Sequence, residues 1–290
     1  LEGEDNSKTV CMGAHLDTIG LIIRHITDEG HLEVRQLGGI NYSSIEGEGV
    51  TIHTRDGRKY RGMVICKSHS VHVFDDARTA PRDELHMEVI LHEDVKSKED
   101  VMNLGIDHGD VISIDPHFEY TPSGYVKSRF IDDKAAVAAL FEMIAYFKRN
   151  NLKPKYRTLL AFPLYEEIGH GGAYVPEEVS EYVALDIGLI GPDYHGNETT
   201  VSICAKDNYS PYDRGLTNRI ILQAKKANLN YCVDVFYRYG TDANAAIRAG
   251  NNVYAAAFGM ACINSHGMER CHISAIEETA KLAIAYALDI

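Results

Sequence analysis

Hydrophobic positions fall along this chain in two textures. Residues 9 to 14 (Thr-Val-Cys-Met-Gly-Ala) are an unbroken apolar run, which predicts a buried strand, and the run ends on His15-Leu16-Asp17. From Leu21 to about Tyr125 short apolar runs alternate with turn signals, among them Asp28-Glu29-Gly30, Gly38-Gly39 and Asp56-Gly57. Thr51 to Arg55, Asp56-Gly57 and Arg58 to Ile65 read as a β-hairpin, with Asp-Gly supplying a type I′ turn. A short helix is expected from Ser97, with Asp100 three residues on. This stretch predicts a mainly-β unit.

After Tyr125 strands and helices alternate. Asp132 to Arg149, rich in Ala, Leu, Phe and Met, predicts a long buried helix. Strands follow at Tyr156–Leu164, Tyr182–Leu185, Val201–Ala205, Cys232–Tyr237 and Val253–Phe258. Helices are expected at Leu216–Ala227 and Asp242–Ala249, and Ser274 with Glu277 forms a capping box for a last helix to Leu288. The first strand suits this α/β sheet better than the β unit. The expected fold class is therefore α/β, a mixed sheet flanked by helices, with a small barrel-like β domain inserted. The α/β domain takes 1–20 and 127–290, and the insertion 21–126.

The chain's 290 residues are 45% hydrophobic and 24% charged, so a disordered main state is excluded. No apolar run approaches the ~20 residues of a bilayer-spanning helix. The net charge of −13 gives no diffuse basic field for nucleic acid or an anionic membrane. Six scattered cysteines without a CxxC pair argue against a thiolate zinc cluster and predict reduced thiols of a cytoplasmic protein. Leu1-Glu2-Gly3-Glu4-Asp5 is no signal peptide. The chain opens without Met, so a preceding segment is expected.

Sites in α/β sheets form where strands end. His15 and Asp17 follow the first strand, Glu166-Glu167 the second and Asp186 the third, while His266 and Glu269 lie in the loop after the last strand. Asp132-Asp133 sits where the insertion returns. Each alone has a plain reading: a hydrogen-bonded histidine, a solvated turn, a helix N-cap. Together they gather two imidazoles and at least four carboxylates on one edge, where like charges and desolvation would conflict without cations. Two divalent ions resolve the conflict. Imidazole with carboxylate suits zinc, cobalt or manganese, and a paired glutamate leaves one ligand and one proton shuttle. The remaining histidines carry no such context, and HExxH and GxSxG are absent.

Six segments then occur in order: Ala14-His-Leu-Asp-Thr-Ile-Gly20, Phe130-Ile-Asp-Asp-Lys134, Tyr165-Glu-Glu-Ile-Gly169, Leu185-Asp186, Tyr239-Gly-Thr-Asp-Ala243 and Ser265-His-Gly-Met-Glu269. Over essentially the whole chain this resembles the M42 metallo-aminopeptidases, the glutamyl/deblocking group related to tetrahedral peptidases. The resemblance implies a zinc-peptidase-like core with two divalent ions, zinc or cobalt. His15, Asp132 and Asp186 would hold one ion, and Asp132, Glu167 and His266 the other. Glu166 would be the general base, Asp17 would orient His15, and Asp242 and Glu269 would meet the substrate. It further implies peptide substrates, and a homo-oligomer, as large as a dodecamer, assembled through the inserted domain, which would also limit access. The family's helical N-terminal segment would precede Leu1. Its common Asp-Asn-Arg-x-Gly reads Asp132-Asp133-Lys134-Ala135-Ala136 here. Rival readings are another amide hydrolase (a deacylase or amidase), a glycan hydrolase on the same paired acids, and a non-catalytic assembly module.

Overall fold

The computed structural model of the chain describes residues 1–288. The backbone divides into two units: Leu1–Thr18 with Phe118 onward, and Ile19–His117. In chain order the first unit opens with β1 (Asp5–Gly13). The second unit follows with β2 (Gly20–Ile26), β3 (Leu32–Leu37), β4 (Gly49–His53), β5 (Lys59–Cys66), β6 (Met87–Leu91), α1 (Lys98–Asn103) and β7 (Val111–Ile114). The chain returns to the first unit with β8 (Glu119–Tyr120), β9 (Tyr125–Ser128), α2 (Ile131–Asn150), β10 (Tyr156–Ala161), β11 (Val179–Leu185), β12 (Gly188–Leu189) and β13 (Val201–Lys206). It ends with α3 (Arg214–Lys226), β14 (Tyr231–Val235), α4 (Asp242–Arg248), β15 (Tyr254–Cys262), β16 (Glu269–His272) and α5 (Ile273–Leu288).

The first unit is built on a mixed sheet in the order β10-β1-β11-β15-β13-β14. Its pairs are parallel except β13 against β15. The central strands are apolar on both faces because both faces are covered. Met12, Val183, Leu185, Ala256 and Phe258 pack with residues of α2, α3 and α5, whereas their neighbours Cys11, Tyr182, Ala184, Ala255 and Ala257 pack with Ala243 and Ala246 of α4. This period-two split sends successive side chains into different layers. It leaves the carboxyl ends of β1, β10 and β11 to carry polar residues. No described helix is long and apolar enough to cross a membrane.

The second unit is a closed antiparallel barrel, β2-β3-β6-β5-β4-β7, sealed by β7 pairing β2. Buried Leu32, Val34, Val50, Ile52, Val64, Cys66, Met87, Val89, Ile112 and Ile114 recur at every second position of their strands and fill it. Ser97 caps α1 as expected, accepting the Asp100 amide while its hydroxyl donates to the Asp100 carboxylate.

Three local expectations change. Gly57 has positive φ but Asp56 does not, so the β4–β5 turn is not type I′. Instead Gly57 N–H bonds back to the Thr54 carbonyl, and Thr54 N–H to the Arg58 carbonyl. Ser274 does not open the last helix, which begins one residue earlier: its amide and hydroxyl both meet His272 Nδ1. Residues 118–126, placed in the insertion by texture, belong to the first unit, because β8 and β9 form a small sheet with β16.

Candidate metal centre

Every sequence-selected acid and imidazole lies in the first unit, so one rigid sheet can gather them. β1 delivers His15, whose Nε2 lies 2.9 Å from Asp132 Oδ1. Its Nδ1 faces the Asp17 carbonyl at 3.1 Å and the Asp17 carboxylate at 3.4 Å. Asp17 does more than orient this ring: its two oxygens accept the backbone amides of Glu166 and Glu167 at 3.3 and 3.1 Å.

Asp132 does not cap α2. It has non-helical angles and a cis bond to Asp133, and its carboxylate lies between two imidazoles, with His266 Nε2 at 3.5 Å from Oδ2. Asp133, fully buried, accepts the His15 amide at 3.0 Å. Asp186 follows β11, and its amide bonds to the Phe258 carbonyl. That contact requires Gly259, since a Cβ there would sit 1.9 Å from the Asp186 carbonyl oxygen. His266 is held in a left-handed conformation (φ 61°) with Nε2 3.4 Å from Glu167.

Two triads result, His15–Asp132–Asp186 and Asp132–Glu167–His266, each with its ligand atoms within 4.8 Å of one another. They share Asp132. Glu166 stands beside the first, 3.9 Å from His15 Nε2.

Glu269 takes a different place from the substrate contact expected of it. Its side chain is 1% exposed, and its oxygens accept the amides of Asp132 (3.0 Å) and His266 (3.1 Å). It fixes two ligands by their backbones, and both of its oxygens are engaged in doing so. Asp242 opens α4 and is buried, and apart from the nearby Gly172 amide neither oxygen has a partner in hydrogen-bond geometry. The grip of Asp133 on the His15 amide and the two-ligand grip of Glu269 were not read from the sequence, where nothing in the spacing reveals a carboxylate turned toward a distant amide.

The electrostatics show what the edge is suited to hold. Burial pushes Asp186, Asp133 and Glu166 well above the usual carboxylate range, and neighbouring acids add to it. Burial, then Asp132, raises Glu167 to about 8, and the same two causes raise Glu269 to about 8. Asp132 moves the other way: burial opposes its charge, but hydrogen bonds from His15 and His266 outweigh it. His15 is likewise penalised by burial and rescued by Asp132 and Asp17, which hold its pKa far above normal. So many buried acids with two imidazoles fit a pair of divalent cations, whose charge removes the repulsion.

A sequence profile described as M42 glutamyl aminopeptidase matches residues 1–282. The protein named "Putative aminopeptidase YhfE" of Bacillus subtilis (strain 168) is 39% identical over 287 residues, covering 99% of this chain and 83% of that one. Among solved structures, the TET1 peptidase of Pyrococcus horikoshii, which can assemble into a tetrahedron or a large octahedral shell, aligns with a TM-score of 0.85 and 26% identity, over 100% of this chain and 86% of that one. A TET aminopeptidase from Thaumarchaeota archaeon SCGC AB-539-E09 shares the fold with a TM-score of 0.88 at 20% identity, covering 100% and 84%.

Proposed function

This chain belongs to the M42 glutamyl aminopeptidase family, and on that premise we propose that it removes residues one at a time from the free N-terminus of peptides. The observation that carries the reading is the pair of triads sharing Asp132 with Glu166 beside them. His15, Asp132 and Asp186 would hold one divalent ion, and Asp132, Glu167 and His266 the other, with zinc or cobalt suited to the donor set. When bound, such ions polarise the scissile carbonyl and make water a nucleophile near neutral pH.

This chain's own residues then do the rest. Glu166, held by its backbone on Asp17, accepts the proton of the attacking water and passes it to the departing amine. Asp17 fixes the His15 ring, and Glu269 fixes the amides of Asp132 and His266, so ligand positions are set before any cation arrives. The excess of acids around the site suits a substrate that brings a positive charge. The barrel unit contributes none of these groups, and we assign it the contacts that build a homo-oligomer.

The test compares one peptide with a free and an acetylated N-terminus, using zinc- or cobalt-loaded protein. Sequential trimming of the free form and much slower cleavage of the acetylated one are expected. Internal cuts as first products, or equal rates on both, would overturn the reading.

A further inference from the structure

We propose that the Asp242 carboxylate is the seat of the substrate's protonated α-amino group. The proposal rests on the aminopeptidase reading and adds the residue that recognises the free N-terminus.

Asp242 is 4% exposed, and apart from the nearby Gly172 amide neither carboxylate oxygen has a partner in hydrogen-bond geometry. A buried acid left so is costly unless a cation or donor meets it. The other acids of this edge are engaged. Asp17 and Glu269 accept backbone amides, and Asp132, Asp186 and Glu167 belong to the ligand triads. Asp133 spends one oxygen on the His15 amide, and Glu166 is the proton carrier.

Position favours the α-amine over a basic side chain. A Cβ placed on Gly171 would meet both Asp242 oxygens at 2.7 Å and the Glu166 amide nitrogen at 2.9 Å. The missing side chain therefore lets the turn that carries Glu166 pack directly against the Asp242 carboxylate. The α-nitrogen of an N-terminal residue is two bonds from the carbonyl carbon under attack, so its counter-ion must stand close to the general base. The ammonium of a lysine side chain reaches several bonds further out.

The seat is preformed. Thr241 caps α4 by accepting the Ala243 amide, and its hydroxyl meets Tyr212 Oη at 2.7 Å. Tyr212 donates to fully buried Asp207, which also accepts the Asn244 side-chain amide at 2.6 Å. This network pins the first turn of α4, and Asp242 with it.

The test uses zinc-loaded whole protein, wild type and Asp242→Asn. The substrates are leucyl and lysyl p-nitroanilides and the des-amino counterpart, isocaproyl p-nitroanilide. A lost charge-assisted contact should lower kcat/KM on both amino substrates by roughly 10- to 100-fold, mainly through KM. The slow cleavage of the isocaproyl compound should fall far less. An equal fall on it would mean that Asp242 only supports the fold, and a fall confined to lysyl would place the side chain there; either result overturns the proposal, as does no fall at all. If wild type cleaves none of the three, calorimetry with leucinamide and isocaproamide decides the seat, while the free and acetylated peptides test the aminopeptidase reading. Tighter binding of leucinamide that Asp242→Asn abolishes supports it, and equal affinities overturn it.

Discussion

The Asp17 carboxylate accepts the backbone amide of Glu167 at 3.1 Å, across 150 residues of sequence. Its other oxygen takes the Glu166 amide, and the same side chain faces His15 Nδ1. One acid thus ties the end of β1 to the turn after β10 and registers an imidazole ligand against the glutamate pair. Asp17→Ala should weaken metal affinity or turnover by about 10- to 100-fold, the usual cost of removing a group that orients a ligand. Competition with a chromophoric chelator measures the first and peptide hydrolysis the second; wild-type values for both would remove Asp17 from the site.

Glu166→Gln keeps the size of the side chain but cannot take a proton. Turnover should fall by at least ~10²-fold with metal content retained. Elemental analysis beside the rate measurement separates the roles: loss of metal in this variant would mean that Glu166 and Glu167 have exchanged places.

Glu269→Ala leaves the Asp132 and His266 amides without acceptors. Each buried amide left unpaired costs about 1–3 kcal/mol, so the urea midpoint should drop even in chelator-treated protein. An unchanged midpoint would contradict the assignment of Glu269 to ligand positioning.

Away from the site, Glu181 gathers Lys8, Arg219 (2.6 Å) and Tyr286 (2.7 Å) on one buried carboxylate. Burial opposes its charge, but these partners outweigh it and hold the pKa below the ordinary 4.5. A depressed folded pKa stabilises above the unfolded value and is lost as pH falls through the folded one. Glu181→Gln should therefore cost stability at pH 7, and the deficit should shrink on acidification below about pH 4.5. Chemical unfolding of both proteins across this range reads the effect; a deficit that grew toward acid would reverse the sign.

Replacing Ile19–His117 by a short linker removes the barrel but none of the proposed ligands. Light scattering should report a smaller assembly than the whole chain forms. The same assembly state for both would take the subunit contacts away from the barrel.

The sequence by itself determined the elements and the chemistry of the edge. Unbroken apolar runs such as Thr9 to Ala14 announce strands covered on both faces, and strand ends mark where a sheet can expose polar groups. That was enough to bring His15, Asp17, Asp132-Asp133, Glu166-Glu167, Asp186, His266 and Glu269 to one edge, and the family resemblance chose the ligands among them. What each carboxylate faces was decided by tertiary structure alone. Asp132 reads as a helix cap until β1 sets His15 against it, and Glu269 reads as a substrate contact until it closes on the amides of Asp132 and His266. Chain spacing carries no record of partners more than a hundred residues away. Nor does it show that Gly259 and Gly171 matter for the atoms they leave out, since only packed backbones reveal where a Cβ would have stood.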